Sequence, residues 1–253
     1  MDDHVVVRLR GVDAPELHYR PFAPHALLKQ RAGTFSQPFG ASAARALRSF
    51  VERTCRGTIV PCVVRTTVGA PEQAFDPYGR LVGDLVIRAK HGPEINVNRW
   101  LVRSGWAFPA LYASMSKGDI ICLSSLARRA REAHVGAWHA FTSAVTNVRF
   151  TTAHEPEALE ERGHKVVLPL LFRRACAWHV SREEGRASSC VAALRACRER
   201  CWRVEDFLDR GTAAPSFELG SFVSRSGVLT IAPERLVFAD RASTLVRAVR
   251  RAA

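Results

Sequence analysis

Val5-Val6-Val7-Arg8-Leu9-Arg10-Gly11-Val12-Asp13-Ala14-Pro15-Glu16 decides how the rest of the chain is read. Val5 to Val12 is β-branched and apolar with charges interspersed, the pattern of a strand. Pro15 cannot continue a sheet ladder, so a turn is expected just after Asp13. That leaves Arg8, Asp13 and Glu16 near one strand end. At roughly 3.3 Å per residue, Arg8 stands about 16 Å back along a straight strand, and a bend or bulge brings it closer. One cation and two carboxylates on such an edge suit a phosphate held beside a divalent metal. They equally suit a strand with a surface ion pair.

Composition narrows the partners. The 253 residues carry 37 Lys and Arg against 24 Asp and Glu, a net charge of +13. Such an excess favours a polyanion, nucleic acid first and an anionic membrane surface second. Arg outnumbers Lys, and its planar fork matches phosphate oxygens. No apolar run approaches the length of a membrane span. The start, Met1-Asp2-Asp3-His4, has no basic segment followed by an apolar one, so the chain as written reads as cytoplasmic, or as secreted if the true start lies upstream. Seven Cys at irregular spacing give no disulfide framework.

Working outward, residues 17–40 contain Pro21, Pro24, Gly33, Pro38 and Gly40 without a period and read as a long loop, where His18, Tyr19, Arg20 and His25 are either substrate contacts or solvated residues. Ala41 to Cys55 has helical spacing, and Gly57 lies just past its end. Thr58 to Thr67 reads as a strand in which Pro61 demands an edge or bulge. Asp76-Pro77-Tyr78-Gly79 is a turn signal that delivers Arg80 to the mouth of a strand over Leu81 to Ile87. Asn96 or Asn98 can cap a short helix that ends near Gly105, and Trp106 to Tyr112 reads as extended. Lys117 to Val135 reads as a helix with Ile120, Leu123, Ala127 and Ala130 inward, closed by Gly136, with Trp138 packing back on the core. Three or more strands followed by helices, with charges at strand ends, predict a small β-barrel with flanking helices, an α+β domain with a mainly β core.

Four of these pieces, in order, resemble the staphylococcal nuclease (thermonuclease) family over about residues 4–140: Arg8 to Glu16, Asp76 to Arg80, Asn96 to Ala107, and the Gly136-Ala137-Trp138 helix end. The resemblance implies an OB-fold five-stranded barrel with three flanking helices. It also implies metal-dependent, typically Ca²⁺-dependent, phosphodiester hydrolysis of DNA or RNA. By resemblance, Arg8 holds the phosphate, and Arg80 binds it near the leaving oxygen. Asp13 and the Ala14 backbone carbonyl ligate the metal, and Glu16 orients or deprotonates the attacking water. Tyr78 and, more loosely, Tyr112 match tyrosines beside the bound nucleotide. Such a site is chemically coherent, since guanidiniums and a divalent cation stabilise the charge that builds on a phosphodiester under attack.

One departure is large. The family's barrel begins with a strand carrying Asp-Gly-Asp-Thr, whereas seven residues precede Arg8 here and none forms that motif. The barrel is therefore expected to lack its first strands and one metal carboxylate. The alternative to a nuclease is a nucleic-acid-binding OB module without hydrolysis. Beyond residue 140, residues 141–165 read as a linker and 166–253 as a region of unknown function. A helix is predicted over Ser188 to Leu208, with Cys190, Cys197 and Cys201 on one face. Together with Cys176 and His179 they form either a zinc set or buried thiols. Ser221 to Ile231 suggests a hairpin and Ser243 to Arg251 a basic terminal helix. Neither carries visible chemistry.

Overall fold

A glycine breaks the opening strand in two. In the computed structural model, Gly11 has φ +74°, a conformation that L side chains rarely adopt, and the chain turns there. β1 is Val7–Leu9 and β2 is Val12–Asp13. The single strand expected over Val5 to Val12 is thus corrected to two short ones, and the turn folds Asp13 and Glu16 back towards Arg8. The structure describes residues 5–21, 34–56, 59–68, 74–76, 78–88, 92–148, 151–152, 160, 162–181 and 189–240. His25 and the expected helix over 243–251 lie outside the described residues.

β3 is Phe35–Ser36, α1 Gly40–Cys55, β4 Cys62–Arg65, β5 Leu81–Ile87, β6 Ile95–Asn96 and α2 Val97–Arg103. β5 is the centre of the first sheet. It pairs in parallel with β1 and antiparallel with β4 and β6. A Cβ at Gly83 would stand 2.7 Å from the Arg65 carbonyl oxygen, so β4 and β5 approach this closely because that side chain is absent. β1 and β4 flank β5, and β6 pairs with its far end. Among the described residues no strand joins β1 to β4 and no closed barrel forms; the arrangement is α+β, as expected, with small mixed sheets.

Asn96 caps α2 by accepting from the Arg99 N–H. Asn98 is instead buried and clamps β5, accepting from the Leu85 N–H and donating to the carbonyls of Arg10 and Gly83. β7 (Phe108–Pro109) pairs with β2, placing Asp13 opposite Phe108. β8 (Leu111–Tyr112) leads to α3, Lys117–Glu132, whose buried residues are Ile120, Leu123, Ala127 and Ala130. Trp138 is buried against Phe108 and Phe141.

The chain beyond residue 140 packs into the same molecule. β9 (Thr151–Thr152) pairs with β3, and α4 is Pro169–Ser181. α5 (Cys190–Arg195), β10 (Arg200–Arg203), α6 (Val204–Arg210), β11 (Phe217–Glu218) and β12 (Leu236–Phe238) follow. β12 pairs in parallel with β8, and the largest core runs from Phe39 through Trp138 and Leu171 to Phe238. Val145, inside the stretch expected as linker, is buried, and Ala144 bridges to Val228. The long helix expected over Ser188 to Leu208 is overturned. β10 is sandwiched between β11 and β12, and this pairing outweighs local helical preference. Cys190, Cys197 and Cys201 therefore share no helix face. A tight reversal joins Val223 to Leu229, as the hairpin signal predicts. No described helix is long and apolar enough to cross a membrane.

Candidate functional site

The parallel pairing of β1 with β5 sets the first half of the site. Arg8 lies opposite Val82, and the Leu81 N–H donates to the Val6 carbonyl at 2.9 Å. Arg80, immediately before β5, is thereby brought beside Arg8. Two like charges this close need a counter-charge, and Asp76 supplies it. Its Oδ2 lies 2.6 Å from Arg80 Nη2 and 3.6 Å from Arg8 Nη1. Its Oδ1 accepts from the backbone N–H groups of Tyr78, at 2.9 Å, and Arg80, at 3.0 Å, which fixes the turn. Burial pushes the Asp76 carboxyl up, but these hydrogen bonds and the Arg80 guanidinium outweigh it and hold the group below the usual carboxylate range. The Tyr78 ring stacks 5.2 Å from Arg80 Cζ with most of its surface open to solvent. Arg8 and Arg80 are 44% and 37% exposed, whereas Asp76 is 4% exposed.

A rigid frame around Glu16 sets the second half. The Gln37 side chain accepts from the Glu16 N–H and donates to the Val167 carbonyl, while the Gln37 N–H donates to the Glu16 carbonyl at 2.7 Å. Gln37 therefore ties this loop to the residues leading into α4. From α4 comes Arg173, 160 residues after Asp13 in sequence. Its Nη1 donates to Asp13 Oδ1 at 2.8 Å and to Glu16 Oε1 at 2.6 Å, and its Nη2 donates to Asp13 Oδ2 at 2.8 Å. Burial alone would lower the Arg173 affinity for its proton, and the two carboxylates more than reverse this. Burial raises the Glu16 carboxyl above its usual range. Arg173 pulls the other way but shares its single charge with Asp13, whose own negative charge reinforces the rise.

Tyr112, on β8, is half-buried near Arg8 and Asp13. Burial raises its hydroxyl, Arg8 opposes this and Asp13 adds to it. Ala14 is exposed at the rim. His18 and Arg20 are exposed as well, whereas Tyr19 packs against Phe35, Phe172 and Cys176. The six charged groups Arg8, Asp76, Arg80, Asp13, Glu16 and Arg173 thus form one connected cluster, in which Arg8 also feels Glu16 electrostatically.

Residues 6–140, more than half of the chain, match the family model described as staphylococcal nuclease homologue. The chain belongs to the staphylococcal nuclease homologue family. No curated protein matches it. Nucleic acid is what staphylococcal nuclease-like domains act on, and Ca²⁺ is the metal they typically use. Among the described residues the donors at this site do not fit that ion. Ca²⁺ takes about six to eight oxygens, whereas two carboxylates converge here and Arg173 engages both oxygens of Asp13 and one of Glu16. Among the described residues no group of three or more His, Cys, Asp or Glu is arranged to hold a metal, the C-terminal cysteines included.

The sequence reading singled out Arg8, Asp13, Glu16, Arg80, Tyr78 and Tyr112 and missed two partners. Asp76 was visible as a turn residue, and an Asp that caps its own turn two and four residues on is a recognisable signal. Arg173 lies outside the family match, and no local motif marks it.

Proposed function

We propose that this staphylococcal nuclease homologue binds nucleic acid by seating a backbone phosphodiester on Arg8 and Arg80, with Tyr78 against the adjacent base. The observation that carries this reading is the convergence of the two arginines on the single carboxylate of Asp76, with both guanidiniums still reachable from solvent. Two cations against one anion leave net positive charge at the surface, where a phosphate oxygen can accept from the remaining N–H groups. Tyr78, exposed and already stacked on Arg80, offers a ring face to a base. The overall charge of +13 adds a sequence-independent attraction. In fluorescence anisotropy with a labelled single-stranded oligonucleotide in EDTA, Arg80→Ala is expected to weaken binding roughly tenfold, the scale of one charge-assisted hydrogen-bonding group. Unchanged affinity would refute the seat.

Hydrolysis is the second reading, and the raised carboxyl of Glu16 beside Arg8 favours it. A carboxylate with enhanced basicity next to a phosphate-holding arginine suits a group that takes a proton from water. In this arrangement Glu16 is committed to Arg173, so binding is the reading that the geometry supports best. The two separate on Glu16→Gln. A nuclease loses cleavage and keeps binding, whereas a binding module shows no cleavage in either form.

A further inference from the structure

Arg173 is built into the molecule, and its placement has the features of a permanent part. Its helix face also carries Leu170 and Cys176, both buried, so the side chain starts from the interior side of α4. Val167, Phe172 and Cys176 pack with Phe35 and Tyr19 in a core of their own, directly behind the loop that carries Glu16. Gln37 bonds both to that loop and to the Val167 carbonyl, so the loop and the start of α4 are fixed by one side chain. At the end of this frame the guanidinium makes a fork with Asp13 and a third hydrogen bond to Glu16. Its side chain is 25% exposed, and those of Asp13 and Glu16 are 18% and 22% exposed. Two carboxylates this enclosed need a cation, and the chain supplies its own.

We infer that Arg173 is the resident cation of this site, held between Asp13 and Glu16 in place of a divalent metal, so that nucleic-acid binding proceeds without one. The inference rests on the phosphodiester reading for its ligand, whereas the identity of the cation stands on the fork alone. A guanidinium already bonded to both oxygens of Asp13 and one of Glu16 repels a divalent ion from the same carboxylates and competes with it for their lone pairs. The phosphate seat on Arg8 and Arg80 is organised by Asp76 and draws on neither.

The test is the melting temperature of the full chain in millimolar CaCl2 and in EDTA, for wild type and Arg173→Ala. Wild type is expected to melt within about 1 °C in the two buffers, because the arginine already neutralises both carboxylates. Arg173→Ala is expected to melt lower in EDTA and to regain roughly 3 °C or more in CaCl2, a gain that adding Asp13→Asn abolishes. A wild-type gain as large as the variant's would overturn the inference, since the metal would then displace the arginine. A folded variant indifferent to CaCl2 would overturn it too, since the carboxylates would then form no cation seat. Should Arg173→Ala fail to fold, calorimetric titration of wild type with CaCl2 decides: no binding heat supports the resident arginine, and stoichiometric binding lost in Asp13→Asn refutes it. Anisotropy in both buffers gives equal affinities if the inference holds. A chain that binds no oligonucleotide in either rejects the phosphodiester reading and leaves the melting result standing.

Discussion

The two halves of the charged cluster are built from the same residue types in opposite proportions. Around Asp76, two arginines face one nearly enclosed carboxylate and remain well exposed. Around Arg173, two carboxylates face one arginine, and all three are mostly covered. The first half keeps exposed donors and an excess of positive charge. The second has turned its charges on one another. Residue identity alone therefore does not say whether a group is poised to bind; the ratio of charges and their burial do.

The largest effect expected from breaking this comparison is on stability. Arg173→Ala strands two partly covered carboxylates and should cost about 2–3 kcal/mol, somewhat below the loss for a fully buried pair because these groups keep some solvent. Urea unfolding measures it, and adding Asp13→Asn and Glu16→Gln should recover much of the loss. A cost near zero would make the fork an ordinary surface contact and erase the distinction between the halves.

Asp76→Asn comes next, at about 1–2 kcal/mol near neutral pH, since a charged acceptor for Arg80 is lost while Oδ1 still accepts from the backbone N–H groups of Tyr78 and Arg80. The sign of its pH dependence follows from the lowered carboxyl. An Asp depressed in the folded state contributes its full stability above the unfolded value of about 3.9 and loses it as pH falls through the folded value. The wild-type advantage over Asp76→Asn should therefore be level above about pH 4 and vanish in stronger acid. An advantage that grows on acidification would contradict the assignment.

The smallest effect sharpens the picture on the binding side. Tyr78→Ala removes a ring that covers Arg80 and meets solvent. It should weaken oligonucleotide binding roughly fivefold, the low end for one stacked base, and leave stability unchanged. Equal affinity would confine the seat to its arginines.

Much of the first half was legible in the sequence because its parts are local. α1, α2, α3 and β5 follow periodicities that need no tertiary information, α2 adds its Asn96 cap, and the inward residues of α3 are those its spacing predicts, while Gly57 lies outside the described residues. Arg8 and Arg80 were paired by resemblance, and the β1–β5 register supplies the physical reason. The second half was not legible, because Arg173 meets Asp13 only once α4 docks. One hint was present: Arg173 shares a helical face with Leu170 and Cys176, and an arginine on an apolar face needs a carboxylate partner. Nothing local says which carboxylate. The cysteines failed for the same kind of reason, since the pairing of β10 on both edges is invisible to a helical count.

The salt dependence of oligonucleotide binding, compared in EDTA between wild type and an Arg8→Ala/Arg80→Ala double variant, tests the phosphodiester seat most directly. Each phosphate contact on a single strand contributes about 0.7 to the slope of log affinity against log salt, so the double variant, which loses the one phosphate seated on both arginines, should lose roughly 0.7. An unchanged slope, with affinity intact, would mean that the phosphate is held elsewhere on this basic chain and that the two arginines are not its seat.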